Sequence, residues 1–345
     1  MTKVYVGMSG GVDSSLTAAL LKEQGYDVTG VYMKNWTQDL PGMRCPWADD
    51  LADAKRVAVQ LGIDFKVFDF EKEYKQKVVD YMIDEYKLGR TPNPDIMCNQ
   101  EVKFKLFLET ALEDGADLIA TGHYARVDHG ILKQAMDTNK DQTYFLYRVT
   151  GDALEKTLFP LGEFTKPEVR KMAEERGLYT ATKKDSQGIC FVGQIGIREF
   201  LSQYVEQVAG PIIDKQTGKK LGQHDGAIFY TIGQRHGLEV GGGLPYYVVG
   251  KDMDKNEVYV TTDLNDENLW KPELRLTSVH WINNIPPEDE YDIRVRHRGQ
   301  LVKSQLVFDG QEVMLKLQNP ERAVAAGQSV VIYKNGDCIG GGIVS

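Results

Sequence analysis

Seven consecutive residues, Ser9, Gly10, Gly11, Val12, Asp13, Ser14 and Ser15, separate an apolar run ending in Gly7-Met8 from a helical run over 16–22. That order predicts a strand feeding a glycine-rich turn at a helix N-terminus, a standard way to hold phosphate. Glycines let the backbone approach, unpaired amides donate, and the helix dipole favours negative charge. The serine hydroxyls add donors, and Asp13 is suited to help hold a phosphate-bound Mg²⁺. A Walker loop carries a lysine before its Ser/Thr, and no lysine stands there. A tight strand–helix turn of small residues would use the same letters; the flanking strand and helix favour the phosphate role.

Two cysteines have settings that suit chemistry. Cys98 follows Asn93-Pro94-Asp95, where two nearby prolines predict a loop and Asn99 a helix cap behind it. A thiol beside a helix N-terminus has a stabilised thiolate, and Asp95 is close enough on that loop to move a proton. Cys190 lies in a small-residue loop between Gly188 and Gly193, with Lys183 and Lys184 upstream, a setting for an accessible, reactive thiol. On these grounds alone Cys190 could equally be a buried structural cysteine, whereas for Cys98 the reactive reading is favoured over a structural loop with a buried thiol. Cys45 and Cys338 have weaker contexts and are expected to be structural.

The elements that must position these groups alternate over the first two hundred residues. Strands are predicted at 4–8, 28–33, 65–70 and 118–121, with helices at 16–24, 49–61, 71–88 and 99–113 between them. The alternation implies a mostly parallel, doubly wound α/β sheet covered on both faces, with ligands at the carboxyl ends of its strands. Thr165-Lys166-Pro167-Glu168 predicts a further helix start. Beyond about residue 205 short β segments take over, notably 246–249 and 257–261. From about residue 270 strands at 276–281, 291–298, 301–308, 312–317 and 329–333 suggest a barrel. The expected division is residues 1–205, 206–269 and 270–345. Arg294, Arg296 and Arg298 alternate in one predicted strand, which would set three guanidinium groups on one face, either as a phosphate stripe or as a plain solvated strand face.

The chain has 345 residues, 41 basic against 50 acidic, for a net charge of −9. Acidity argues mildly against a nucleic-acid partner, although local patches outweigh the sum. No apolar stretch is long enough to span a bilayer and no signal peptide precedes the loop, so a cytoplasmic protein without membrane contact is expected. The four cysteines form no CxxC pair, which argues against a zinc ribbon, a disulfide framework and an iron–sulfur cluster.

The loop at 9–15, Asn93-Pro94-Asp95 leading to Cys98, Thr121-Gly122-His123-Tyr124-Ala125-Arg126 and the segment around Cys190 occur in one order. With Gly222-Gln223-His224, Tyr230-Thr231-Ile232-Gly233-Gln234-Arg235 and Gly340-Gly341-Gly342, the chain resembles, end to end, the bacterial MnmA-type tRNA-specific 2-thiouridylases. These belong to the N-type ATP pyrophosphatases, whose catalytic fold is of the adenine nucleotide alpha-hydrolase type. The resemblance implies ATP-Mg²⁺ as cosubstrate, no resident cofactor or metal, and adenylation of the C2 oxygen of the wobble uridine in tRNAs for Lys, Glu and Gln. Sulfur then replaces that oxygen, and AMP and pyrophosphate are released.

By the same resemblance, Gly7, Met8 and the residues from Ser9 to Ser15, with Met33 and Gly122, contact ATP. Asn93, Pro94 and Asp95 meet the target base. Cys190 carries a persulfide received from a cysteine desulfurase or a sulfur-relay protein, and Cys98 is its partner. Either Cys98 attacks the persulfide, leaving a Cys98–Cys190 disulfide, or the persulfide attacks C2 and Cys98 resolves the product. His123, Lys140, Asp141, Gln142, Arg296, His297 and Gln328 match tRNA contacts, with base flipping expected. The family is expected to run several residues past the position of Ser345, which would leave the last barrel strand short. Rival readings are an ammonia-using synthetase of the same superfamily and a non-enzymatic sulfur carrier or RNA-binding module.

Overall fold

The computed structural model describes residues 1–39, 45–184, 196–241, 243–310 and 312–345. Lys3–Gly7 is the central strand of a five-stranded parallel sheet ordered Asp64–Asp69, Asp27–Lys34, Lys3–Gly7, Leu118–Ala120, Thr157–Leu158. Val4, Tyr5 and Val6 are fully buried, as expected of a parallel strand covered on both faces. Helices Val12–Glu23 and Trp47–Leu61 pack against this sheet. A left-handed Gly62 closes the second, while the paired side chains of Thr165 and Glu168 open helix Lys166–Glu175.

One helix begins earlier than the sequence suggested. Asn93 Oδ1 accepts from the amides of Asp95 and Ile96 at 3.1 and 3.3 Å, and the helix starts at Pro94. A proline in the first turn gives up an amide that has no partner there anyway, so Pro94 opens the helix instead of forbidding it. Pro94–Met97, Cys98–Leu106 and Phe107–Glu113 run on as one helix. Cys98 therefore sits inside a helix, one turn past its start, and Asn93 rather than Asn99 is the cap.

Two β units follow. A four-stranded sheet is ordered Tyr247–Asp252, Glu257–Thr261, Gly210–Asp214, Lys220–His224. The C-terminal region is a closed six-stranded antiparallel barrel: Trp270–Trp281, Glu312–Arg322, Val302–Asp309, Glu290–Arg294, Ser329–Lys334 and Asp337–Val344, which pairs back onto the first strand. Asp337–Val344 thus closes the barrel along its length, against the expectation of a short last strand. A hairpin from the first unit, Arg126–Asp128 with Ile131–Lys133, hydrogen-bonds to that closing strand. The α/β unit and the barrel are therefore joined by a shared sheet edge. Among the described residues no helix is long and apolar enough to cross a membrane.

The arginine stripe is not formed. The strand ends at Arg294, and Arg298 has a left-handed backbone with φ of 60°. Arg294 turns inward instead: its Nη1 is 2.8 Å from Asp141 Oδ2, with side chains 10% and 1% exposed.

Candidate active site

A cleft of about 650 Å³ runs from the glycine-rich turn to the barrel. At one end the turn is wired to itself. Ser15 and Ser14 hydroxyls donate to the Gly11 carbonyl at 2.8 and 3.2 Å, and the Ser9 amide donates to Ser14 Oγ at 3.2 Å. Gly10 has a φ of +73°, and a Cβ there would lie 2.4 Å from the Asp50 carbonyl. Gly122 abuts the start of the helix so closely that a Cβ would stand 2.8 Å from the Ser14 amide. Gly7, Met8, Ser9, Gly11, Val12, Asp13, Ser14, Met33 and Gly122 all line the cleft. Gly10 and Ser15 shape the turn from behind.

Asp13 has a partner that the sequence did not reveal. Lys166 Nζ lies 2.7 and 2.9 Å from its two oxygens, and the Tyr124 hydroxyl donates to Oδ1 at 2.9 Å. Its carboxylate is thus largely engaged, which makes it an anchor of the helix start more than an open cation ligand. Among the described residues no group of three or more His, Cys, Asp or Glu side chains is placed to hold a metal.

Farther along, Asp95, Cys98 and Lys103 line the cleft from one helix. Cys98 is 5% exposed. Burial holds the Asp95 carboxyl above the usual carboxylate range, with Lys103 partly offsetting it. Opposite, His123 is 8% exposed, its Nδ1 2.8 Å from Thr121 Oγ1, and its ring packs against Phe104 and Phe159. Burial first, and then Lys103, hold its pKa well below that of free histidine. It is a neutral ring at pH 7, so it offers the cleft a hydrogen bond or a stacking face, not charge.

The barrel closes the cleft with His297 and Arg298. The His297 ring lies 4.5 Å from that of Phe145, and burial, then Arg298, lower its pKa. Lys140, Gln142 and Lys184 also line it, as does Lys183, whose Nζ is 2.8 Å from both Asp50 and Asp53. Gln142 Oε1 meanwhile accepts from the Tyr124 amide at 2.9 Å.

Asp141 does not face this space. Its carboxylate takes Arg294, the Thr143 hydroxyl at 2.9 Å and the Ala135 amide at 3.2 Å. The sequence placed it with the RNA contacts; its side chain joins two units inside the protein. Arg296 and Gln328 lie outside the cleft. Arg296 Nη2 donates to the Arg322 carbonyl at 2.9 Å, and Gln328 Oε1 accepts from the Ala325 amide at 3.1 Å, so both brace the turn before the strand Ser329–Lys334. That turn meets the Thr91 amide through the Ala326 carbonyl at 2.8 Å, two residues before Asn93.

Cys190 falls within 185–195, outside the described residues. Cys45 and Cys338 are buried, as expected of structural thiols, although Cys45 also borders the cleft. Burial raises the pKa of both.

Three family models match the chain in sequence. A tRNA methyl transferase HUP domain covers residues 2–194, a tRNA methyl transferase PRC-barrel domain covers 198–262, and an aminomethyltransferase beta-barrel domain covers 271–344. The tRNA-specific 2-thiouridylase MnmA of Bacillus cytotoxicus is 47% identical over 352 residues, 99% of this chain and 94% of that one. Its namesake in Pediococcus pentosaceus is 47% identical over 358 residues, 99% of this chain and 95% of that one. Among solved structures, the U34-tRNA thiolase NcsA from Methanococcus maripaludis with its [4Fe-4S] cluster is a weak partial match. It has 18% identity, covers 59% of this chain and 65% of that one, and has a TM-score of 0.38. With full-length identity near one half and the motifs lining one cleft, the chain belongs to the tRNA-specific 2-thiouridylase MnmA family.

Proposed function

We propose that this protein is a tRNA-uridine sulfurtransferase that uses ATP to install sulfur at C2 of the wobble uridine. The observation that carries this reading is the single cleft in which the phosphate-holding turn, Asp95 and Cys98, and the barrel residues His297 and Arg298 all meet. A synthetase that used ammonia would need the turn but neither the thiol nor the barrel wall.

In this mechanism the turn amides hold the phosphates of ATP-Mg²⁺, with Met33 and Gly122 beside the nucleotide. Preorganised donors of that kind supply the largest share of many rate enhancements. The flipped uridine meets Asn93, Pro94 and Asp95. Its O2 attacks the α-phosphorus, pyrophosphate leaves, and Asp95 takes the proton lost from N3; a carboxyl with a raised pKa suits that exchange. Sulfur arrives as a persulfide on Cys190, delivered by a cysteine desulfurase or relay protein. Either Cys98 displaces it as hydrosulfide, forming a disulfide that a thiol reductant later reopens, or the persulfide adds to C2 directly and Cys98 releases the product. The tRNA is held by His123, Lys140 and Gln142 of the first unit and by Arg296, His297 and Gln328 of the barrel, with the small unit at 206–269 serving it as well. The reaction belongs to the cytoplasm, where tRNA and reductant are at hand.

The test is a thiolation assay with full-length protein, ATP-Mg²⁺, unmodified tRNA-Lys and a persulfide source, read by mass spectrometry of the digested tRNA. Thiouridine at the wobble position, lost in Cys98→Ser and Cys190→Ser, is the expected result. AMP formed with another acceptor and no sulfur in the tRNA would move the protein to a sibling synthetase.

A further inference from the structure

The helix carrying Cys98 changes its winding at that residue. Over Cys98–Leu106 it is a π-helix, and the Phe107 amide donates to the Val102 carbonyl five residues back. Such windings are rare and concentrate at functional sites. The consequence here is angular. On an α-helix, residues five apart point about 140° from each other. Where each hydrogen bond closes over five residues, the fifth residue on returns to nearly the same face. Cys98 and Lys103 are five apart and both line the cleft, with Asp95 one turn before them. Val102 and Phe104, on either side of Lys103, pack into the core instead.

Charge singles out the same lysine. Lys77 and Lys105 both engage Glu101, at 3.1 and 3.6 Å. Among the described residues the Lys103 ammonium makes no hydrogen bond or ion pair, although its field reaches Asp95 and His123. His123 follows Gly122, the residue pressed against the Ser14 amide. The ammonium is therefore half-buried in the cleft that the thiol and the phosphate-holding turn share, with no protein anion among the described residues bound to it.

We propose that Lys103 is a catalytic residue of thiolation: its Nζ binds the α-phosphate of the adenylated uridine and takes up the charge that develops as AMP departs. The proposal rests on the thiolation reading above. In the first step the O2–P bond forms, the bond from the α-phosphorus to the bridging oxygen breaks, and that electron pair leaves on pyrophosphate while the N3 proton passes to Asp95. In the second, hydrosulfide adds to C2, the C2–O2 bond breaks, its electron pair leaves on AMP, and the hydrosulfide proton ends on N3. Neither step is a net oxidation or reduction. One ammonium serves both, since the α-phosphate is present throughout.

The experiment uses full-length wild-type protein, Lys103→Met and Lys103→Arg with ATP-Mg²⁺, tRNA-Lys and sodium sulfide as sulfur source, in single turnover. It reads tRNA-dependent AMP, thiouridine, tRNA affinity and thermal melting. Lys103→Met should lose on the order of 10²–10³ in the rate of AMP formation, with tRNA affinity and melting unchanged, and Lys103→Arg should recover most of it. Wild-type rates in Lys103→Met would overturn the proposal. So would AMP at the wild-type rate with thiouridine lost, which would assign the lysine to the sulfur, or an Arg variant no better than Met with both melting early. Wild-type protein that makes no thiouridine would instead bring down the thiolation reading and this proposal together.

Discussion

The two ends of the cleft are built by different means. At the phosphate end the working surface is backbone, and the hydroxyls of Ser14 and Ser15 are turned back onto Gly11 to shape it. Gly10 and Gly122 are there for what they lack, since a Cβ on either would meet main-chain atoms within 3 Å. At the other end, where we propose that sulfur is transferred, the working surface is side chains, Asp95, Cys98, Lys103, His123 and His297, contributed by a helix, a strand end and the barrel. The first end should therefore fail when atoms are added and the second when atoms are removed.

Removing one atom type at the sulfur end should have the largest effect. Cys98→Ser should reduce thiouridine formation at least about 10³-fold, since a hydroxyl is far less ionised and less nucleophilic than a thiol. ATP affinity should stay within about twofold, because the turn's backbone donors rather than the thiol are proposed to hold the phosphates. Single-turnover thiolation beside equilibrium ATP binding checks this; parallel loss of both would erase the distinction between the ends.

Next in size is the joint that brings the barrel wall to the cleft. Arg294→Met strips a buried carboxylate of its cationic partner and should cost about 3–5 kcal/mol, while the double change Arg294→Met with Asp141→Leu should return most of it. Denaturant unfolding of the three variants measures that. If the joint also positions Lys140 and His297, the double variant should fold well yet show a raised KM for tRNA with KM for ATP unmoved.

The same contrast explains what was legible beforehand. The turn at 9–15 is contiguous, so residue order alone exposed it, and apolar runs such as 4–8 and 65–70 marked the parallel strands. What joins distant segments left no such trace. Lys166 was visible as part of a helix start, but its salt bridge to Asp13 spans 153 positions. The Arg294, Arg296, Arg298 alternation has a strand's period, yet the strand stops and Arg298 takes a φ of 60°. The hairpin strands Arg126–Asp128 and Ile131–Lys133 are three residues each, too short for any period to show. Lys103 was missed because a helix of ordinary pitch turns it away from Cys98; only the π winding returns it.

Adding one carbon at the phosphate end is the third probe. Gly122→Ala would place a Cβ 2.8 Å from the Ser14 amide and 2.9 Å from the Asp13 carbonyl carbon. Main chain must shift, moving donors that have to lie within tenths of an ångström of the phosphates. ATP affinity should fall on the order of tenfold with the pH behaviour and reactivity of Cys98 unchanged, read by nucleotide titration and by alkylation rate. An unchanged ATP affinity would mean that the backbone at this end is not as rigid as its contacts imply.

The smallest expected effect is on stability, and it separates Asp95 from an ordinary structural carboxylate. Burial raises its pKa in the folded protein. A group whose folded pKa lies above its unfolded value binds more protons when folded across the window between the two, so stability falls as pH rises through that window. Above it the protein carries a standing penalty for a half-buried carboxylate, and below the unfolded value, near pH 4, the penalty is absent. Asp95→Asn removes the titration. It should raise Tm at pH 7 by on the order of 2 °C and leave Tm unchanged near pH 4, while thiolation falls because the proton acceptor is gone. Melting curves across pH, set beside single-turnover rates, read both effects. A variant that is less stable at pH 7 would show Asp95 to be holding the helix start together. A variant that is more stable and less active would show a carboxylate kept in an unfavourable place because the chemistry needs it there.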